Sequence, residues 1–478
     1  MRIASAIGVL TVVAVTRSGA QATATTPTLG PPPMLTVPGV EHSALANGLR
    51  IELVPMHELP LAQATLVIDG GARLDGTKPG IASFTAGMLD EGAGMRDAFA
   101  FASELEYLGA TLQTDATWDA VTLTLRAPTH TIARAMTLLA DAVLRPRFST
   151  VDVTRQRDLR LAAILQERDD PQTLAERVFR RNAYPAGHPY HFALGGDSTT
   201  VAGFDSTTIR AFWTSIADPR HATLIVTGDL TLSQARALAQ GALAEWRPPP
   251  RGVAVPKVRS VTAPVPAPMR FVLVDRPDAE QSMIVIGTPA PMRSSADYAA
   301  FTLVDILLGG SFSARLNDIL REQKGWVYHA RSYLEWRPVP GPFFVVAPTR
   351  TDVTDSALAV LVREIGRMGA EPVPEIELAR ARAYVAIGAS RKLETTGQVA
   401  DRLVALHAFG FPIDTVSSEL DAIGRVSASD VQAAAGRHLD PAHLTVVVVG
   451  DVTRIQPGIE ALGLGPIEVQ EIEAPAGR

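Results

Sequence analysis

The residues around Pro219 return around Pro441, and this repeat constrains the fold more than any other feature of the chain. Asp218, Pro219, His221, Thr223, Val226, Gly228 and Asp229 match Asp440, Pro441, His443, Thr445, Val448, Gly450 and Asp451, with the same separation at every pair. A second correspondence lies earlier in each half. Ser83-Phe84-Thr85 with Gly92 echoes Ala300-Phe301-Thr302 with Gly309, at nearly the same separation. The chain is therefore expected to be one fold used twice in tandem. A duplicated fold leaves a cleft between its copies, and clefts between domains hold ligands. With 478 residues and 46% apolar content there is material for two cores of about 200 residues each.

The net charge of −6 is spread over both signs. No basic block points to nucleic acid and no acidic tail to disorder. Arg2, the apolar run from Ile3 to Val15 and the small-x-small triplet Ala20-Gln21-Ala22 have the form of an export signal over residues 1–22. That run is too short to cross a bilayer of about 30 Å, and no later stretch reads as a span. An uncleaved anchor is the alternative. With no cysteine, the fold must stand on packing alone. Export without disulfides fits a bacterial periplasm, so the expected location is periplasmic or secreted.

Residues 23–45, rich in Thr and Pro, read as a linker, and residues 46–247 as a first domain. A second proline-rich stretch at 248–268, opening with Pro248-Pro249-Pro250, reads as the interdomain linker. Residues 269–455 read as the second domain and 456–478 as a tail. Val121, Leu123 and Leu125 alternate with threonines, which predicts a half-buried strand. Ile132, Met136, Leu139 and Val143 recur at helical spacing, and Ser149 with Asp152 marks the start of a helix running towards Glu167. In the second half, helices are expected at 298–308, 314–324, 355–368 and 375–393, and strands at 328–336 and 343–347. Strands and helix pairs mix without strict alternation, so the expected class is α+β, two tandem homologous domains of sheet packed with helices.

An ordered series of landmarks then resembles a known family. It runs through Asn47-Gly48-Leu49-Arg50, Gly80-Ile81-Ala82-Ser83-Phe84, Gly109-Ala110 with Leu112, Asp170-Pro171, His188-Pro189-Tyr190 and Gly228-Asp229. It continues from Leu308-Gly309-Gly310-Ser311-Phe312-Ser313-Ala314-Arg315-Leu316 to Leu320-Arg321-Glu322, Gly325 and Tyr328. The series is similar to the pitrilysin/insulinase-type (M16) zinc metallopeptidases, in the branch related to mitochondrial processing peptidase. Active members carry His-x-x-Glu-His on a helix, two imidazoles one turn apart on zinc and a glutamate that activates the bound water. The matching positions here hold Ser83, Ala86 and Gly87. The family's third ligand, a glutamate on a later helix, matches Glu167. A lone carboxylate cannot hold zinc tightly, so Glu167 is expected to be a solvated helix charge, and no metal is expected in this chain. His188 and His191 are separated by the helix-breaking Pro189, and His221 and His443 each precede a buried strand; all four read as fold residues. Asp90 and Glu91 follow the degenerate motif with no histidine nearby, and no Gly-x-Ser-x-Gly elbow occurs.

The resemblance also implies what the second half does. In the family, an Arg and a Tyr seven positions apart hold the substrate backbone near the zinc, and Arg321 and Tyr328 match them. A guanidinium and a phenol both donate to peptide carbonyls. Ser313 and Arg315 are expected at the same entrance. The chain is thus expected to be the non-catalytic, substrate-binding subunit of a heteromeric zinc peptidase. A partner with an intact His-x-x-Glu-His would bring the zinc; this chain would need no cofactor, and its ligand would be a peptide. Neither nucleic acid nor, after signal cleavage, a membrane span is expected. The alternatives are an inactive scaffold of the same fold, a stand-alone peptide-binding protein, and a self-sufficient peptidase with an unconventional metal site.

Overall fold

The alternation of Val121, Leu123 and Leu125 with half-buried threonines builds a strand with both faces covered, and the same arrangement recurs throughout two sheets. A computed structural model describes residues 37–250, 252–253 and 267–471. The export signal and most of both proline-rich segments lie outside them. The first sheet contains β1 (Glu41–Ala44), β2 (Arg50–Pro55), β3 (Leu61–Asp69), β4 (Thr111–Ala116), β5 (Ala120–Pro128) and β6 (Ala222–Gly228), in the order β1-β2-β6-β3-β5-β4. The second contains β7 (Arg270–Asp275), β8 (Gln281–Pro289), β9 (Arg331–Leu334), β10 (Pro342–Arg350), β11 (Thr445–Gly450) and β12 (Ile467–Gln470), in the order β12-β7-β11-β8-β10-β9. The fold is α+β, with two tandem copies as expected.

The register repeats too. Arg50 of β2 pairs in parallel with Thr223 of β6, and Arg270 of β7 pairs in parallel with Thr445 of β11. Asp218 and Asp440 each accept a backbone N–H two residues on, and so shape the same short turn before β6 and β11. The outer edge differs. β1 is antiparallel to β2, whereas β12 is parallel to β7. These edge strands lie in the segments read from sequence as linker and tail, where the helix Val452–Ala461 also falls for most of its length. Both strands are four residues long: β1 is largely polar, and the alternation of Ile467 and Val469 with Glu468 and Gln470 in β12 is too brief to announce a strand.

The expected cleft between the copies is filled in part, leaving a cavity of about 810 Å³ between Arg50, Asp69, Arg73 and Asp119 of the first half and Leu403, His407 and Phe411 of the second. The helix Pro171–Ala183 of the first half lays Leu174, Ala175 and Phe179 on the second sheet, against Val272, Val285, Phe344 and Val447. The Phe179 and Phe344 rings meet edge to face at 4.9 Å. Gly287 of β8 makes room for this, since a Cβ there would lie 2.4 Å from Phe179 Cε2. The topologically matching helix of the second half, Thr396–His407, returns the exchange. It places Val399, Leu403 and Leu406 over Val54, Val67 and Ile225 of the first sheet. Each sheet is therefore covered on one face by its own helices and on the other by a helix from the opposite copy. Each such large apolar side chain, fully buried, contributes about 1.5–3 kcal/mol, so the halves are fused rather than hinged.

The run Tyr298–Gln323 departs from the sequence reading, which found no later span. By length and composition it is apolar enough to cross a membrane. Half of it is buried, and Phe301, Val304, Leu308, Leu316 and Leu320 pack in the second core. It is also interrupted between Ser311 and Ala314.

Candidate functional site

The helix that carries the degenerate motif, Ile81–Ala86, begins against a carboxylate. Asp75 accepts from the backbone N–H of Gly80 at 2.7 Å and of Ala82 at 3.0 Å, satisfying donors that a helix start leaves open. Burial pushes the Asp75 carboxyl up to about 7 despite those bonds. Ser83 is half-buried, Ala86 is sealed in the first core and Gly87 is exposed at the helix end. Past the motif, burial pushes Asp90 up to about 6, while Glu91 is held by Arg155 and Gln156.

Glu167 is not the solvated charge that the sequence suggested. Its two carboxylate oxygens each receive a guanidinium, Arg160 Nη1 at 2.6 Å and Arg177 Nη2 at 2.6 Å. Arg177 comes from the crossing helix, which starts at once because Asp170 caps it and Pro171 fills its first position. A pairing that depends on this bend is invisible in the helical spacing around Glu167. His188 is buried, with Nδ1 accepting from Tyr190 N at 3.0 Å, and burial pushes it down to about 4. His191 bonds the Tyr184 carbonyl. Both histidines serve the local packing.

In the second half the structure brings Arg321 and Tyr328 together. Arg321 lies on a wide helical turn, Asp318–Gln323, a geometry enriched at functional sites. The chain then reverses at Gly325, where φ is +63°. The loop that follows is pinned by Trp326 N to Leu320 O at 2.9 Å and by Ala330 N to Asn317 Oδ1 at 2.8 Å. β9 starts only at Arg331, so Tyr328 precedes the strand in which it was expected and stands 82% exposed. The Arg321 guanidinium lies 5.5 Å from the Tyr328 ring and 4.8 Å from the ring of Phe312, itself 70% exposed. Its recorded ion contact is Nε to Glu322 at 3.4 Å. The guanidinium is thus held between two aromatic faces by cation–π attraction. Among the described residues, neither its Nη atoms nor the Tyr328 hydroxyl makes a hydrogen bond within the chain.

Phe312 was missed from sequence as a member of this group. Its one signal is a bulky aromatic within Gly310-Ser311-Phe312-Ser313, a stretch that otherwise holds small residues. Ser313 is exposed beside it, but Arg315 is turned inward to Glu377 at 2.8 Å and to Met368 Sδ at 3.4 Å.

Residues 53–188 match the family described as insulinase, peptidase family M16, and residues 203–385 match the peptidase M16 inactive domain. The chain belongs to the M16 family. Among curated relatives, a non-peptidase homolog of Helicobacter pylori, YmxG, is 21% identical over 83% of this chain and 90% of its own. An uncharacterized zinc protease of Mycobacterium leprae is 24% identical over 76% of this chain and 81% of its own. Among solved structures, a peptidase M16 inactive domain from Pseudomonas fluorescens has a TM-score of 0.77 at 24% identity, covering 86% of this chain and 98% of that one. A protease from Helicobacter pylori has a TM-score of 0.80 at 16% identity, over 86% and 99%.

The residues of this M16 chain do not fit the family's zinc. Ala86 and Gly87 have no donor atom, and a serine hydroxyl is a poor zinc ligand. The remaining carboxylate, Glu167, already has both oxygens occupied by the arginines Arg160 and Arg177. No cluster of three His, Cys, Asp or Glu side chains suited to a metal occurs among the described residues.

Proposed function

We propose that this chain is the non-catalytic, substrate-holding subunit of a heteromeric M16-type zinc peptidase, working in the periplasm or outside the cell. The observation that carries the reading is the Arg321–Tyr328 pair, an exposed ring beside a half-buried guanidinium, with the Arg321 Nη atoms and the Tyr328 hydroxyl unspent. A scaffold needs no such donors. A subunit that grips peptide carbonyls does, and charge-assisted donors of this kind contribute about 1.5–3 kcal/mol each. The catalytic partner would supply zinc, its ligands and the base. This chain would supply the carbonyl clamp and part of the wall around an extended peptide.

The test is co-expression with an M16 partner carrying an intact His-x-x-Glu-His. Arg321→Ala combined with Tyr328→Phe is expected to lower peptide turnover by about 10- to 1000-fold while the two chains still co-purify. Unchanged turnover would favour the scaffold. Chelator-sensitive cleavage by the isolated chain would make it a peptidase in its own right.

A further inference from the structure

The helix Glu375–Arg391 is under-packed: it buries just Leu378 and Ala381. One of its faces, marked by Ile376, Arg380, Tyr384, Gly388 and Arg391, lines two adjoining cavities of about 460 Å³ and 520 Å³. Ile306 and Tyr384 belong to both, so the two form one groove. At one end the groove reaches Phe312, whose ring stacks on Arg321. At the other it reaches Trp336, Lys392 and Leu393.

The charges on its walls are unevenly spent. Of the four acidic side chains, Glu377 and Glu419 are closely ion-paired within the protein, whereas Asp318 and Glu322 are exposed and more weakly held. Glu377 pairs with Arg315 at 2.8 Å, Glu322 with Arg321 at 3.4 Å, and Asp318 accepts from Gln323 at 2.9 Å. Glu419 is held by Arg293 and by Arg402 at 3.0 Å. The side chains of Arg380, Arg391 and Lys392 are exposed and have no partner among the described residues. Arg391 and Lys392 sit at the helix C-terminus, where the helix dipole alone favours cations. Arg380 sits mid-helix, where it does not. Nor do these free cations reflect a basic chain, since the net charge is −6. In the matching helix of the first half, Thr150–Asp169, the mid-helix Arg160 is consumed by Glu167 and the Gly195 carbonyl.

We propose that this groove binds an extended peptide rich in acidic residues. The aliphatic and aromatic walls would hold alternate side chains, and Arg380, Arg391 and Lys392 would pair with carboxylates. The proposal rests on the peptide-holding reading of the chain and names the class of peptide. A backbone gripped by Arg321 and Tyr328 continues past Phe312 along the helix.

The test uses the full chain and three fluorescent decapeptides that alternate Leu with Glu, with Lys or with Ser, measured by anisotropy. The Glu peptide is expected to bind at least about 10-fold tighter than the Lys peptide, with affinity falling as salt rises. Arg380→Glu combined with Lys392→Gln should remove that preference with at most a small drop in melting temperature from the lost helix-end charge, because both side chains are exposed. Equal affinity for the Glu and Lys peptides, binding unaffected by the double variant, or no binding of any peptide would overturn the proposal. Cleavage by the co-expressed pair that depends on Arg321 but not on Arg380 would overturn the groove while leaving the subunit reading intact.

Discussion

A Cβ at Gly87 would meet nothing closer than 3.7 Å, and the backbone there has φ −66°. At Gly228 φ is +127° and a Cβ would lie 2.3 Å from the Leu61 carbonyl oxygen. Gly87→Ala is therefore expected to be neutral or stabilising by up to about 1 kcal/mol, and Gly228→Ala to cost about 2 kcal/mol or more. Denaturant melts of the two variants check the contrast. Position 87 has lost its ligand without any packing reason, whereas Ala86 is fully buried, so a glutamate there would overpack the core. At this scale the sequence was informative where spacing along the chain decides the matter. Arg321 and Tyr328, seven positions apart, meet, although Tyr328 lies before the strand in which it was expected. It was uninformative where partners come from distant elements. The second arginine on Glu167, Arg177 of the crossing helix, and the aromatic support from Phe312 depend on bends that no periodicity encodes.

The two exchanged helices show the same limit among elements. Leu174, Ala175 and Phe179 announce an apolar face on the helix Pro171–Ala183, but not which sheet receives it. Local pattern fixes a helix and its stripe; it cannot choose between two similar sheets. The duplicated turns before β6 and β11 were legible because Asp218 and Asp440 act on neighbours two residues away. The crossing also makes a mutational forecast. Phe344 is fully buried in the second sheet, yet it packs on Phe179 of the first half. Phe344→Ala is expected to cost about 3–5 kcal/mol and to lower the melting of both halves together. Tryptophan fluorescence weighted to Trp213 and Trp246 in the first half, or to Trp326 and Trp336 in the second, can follow this. Two separated transitions would contradict the fused architecture.

For the whole molecule, buried carboxyls set the response to pH. Burial pushes Asp75 up to about 7, and Asp90 and Asp305 up to about 6, from 3.8. A raised carboxyl pKa means the folded chain keeps a proton that the unfolded chain releases. That contribution is fully present below about pH 3.8 and is lost as pH rises through 6 to 7. His188 works in the opposite direction. It is pushed down from 6.5 to about 4, so its contribution is present above pH 6.5 and lost as pH falls through 4. Burial also raises Asp119 and lowers His329, so four carboxyls outweigh two imidazoles, and the melting temperature is expected to be higher at pH 5 than at pH 8. Asp75→Asn should narrow that gap in calorimetric scans.

The reciprocal exchange of helices has a consequence for how the protein is made. When residues 37–250 have left the ribosome, the outer face of the first sheet still waits for a segment about 150 residues further on, and the helix beginning at Pro171 has no surface to rest on. The nascent first half must travel with two sticky faces uncovered. It reaches its final form only when the end of translation delivers both covers almost at once.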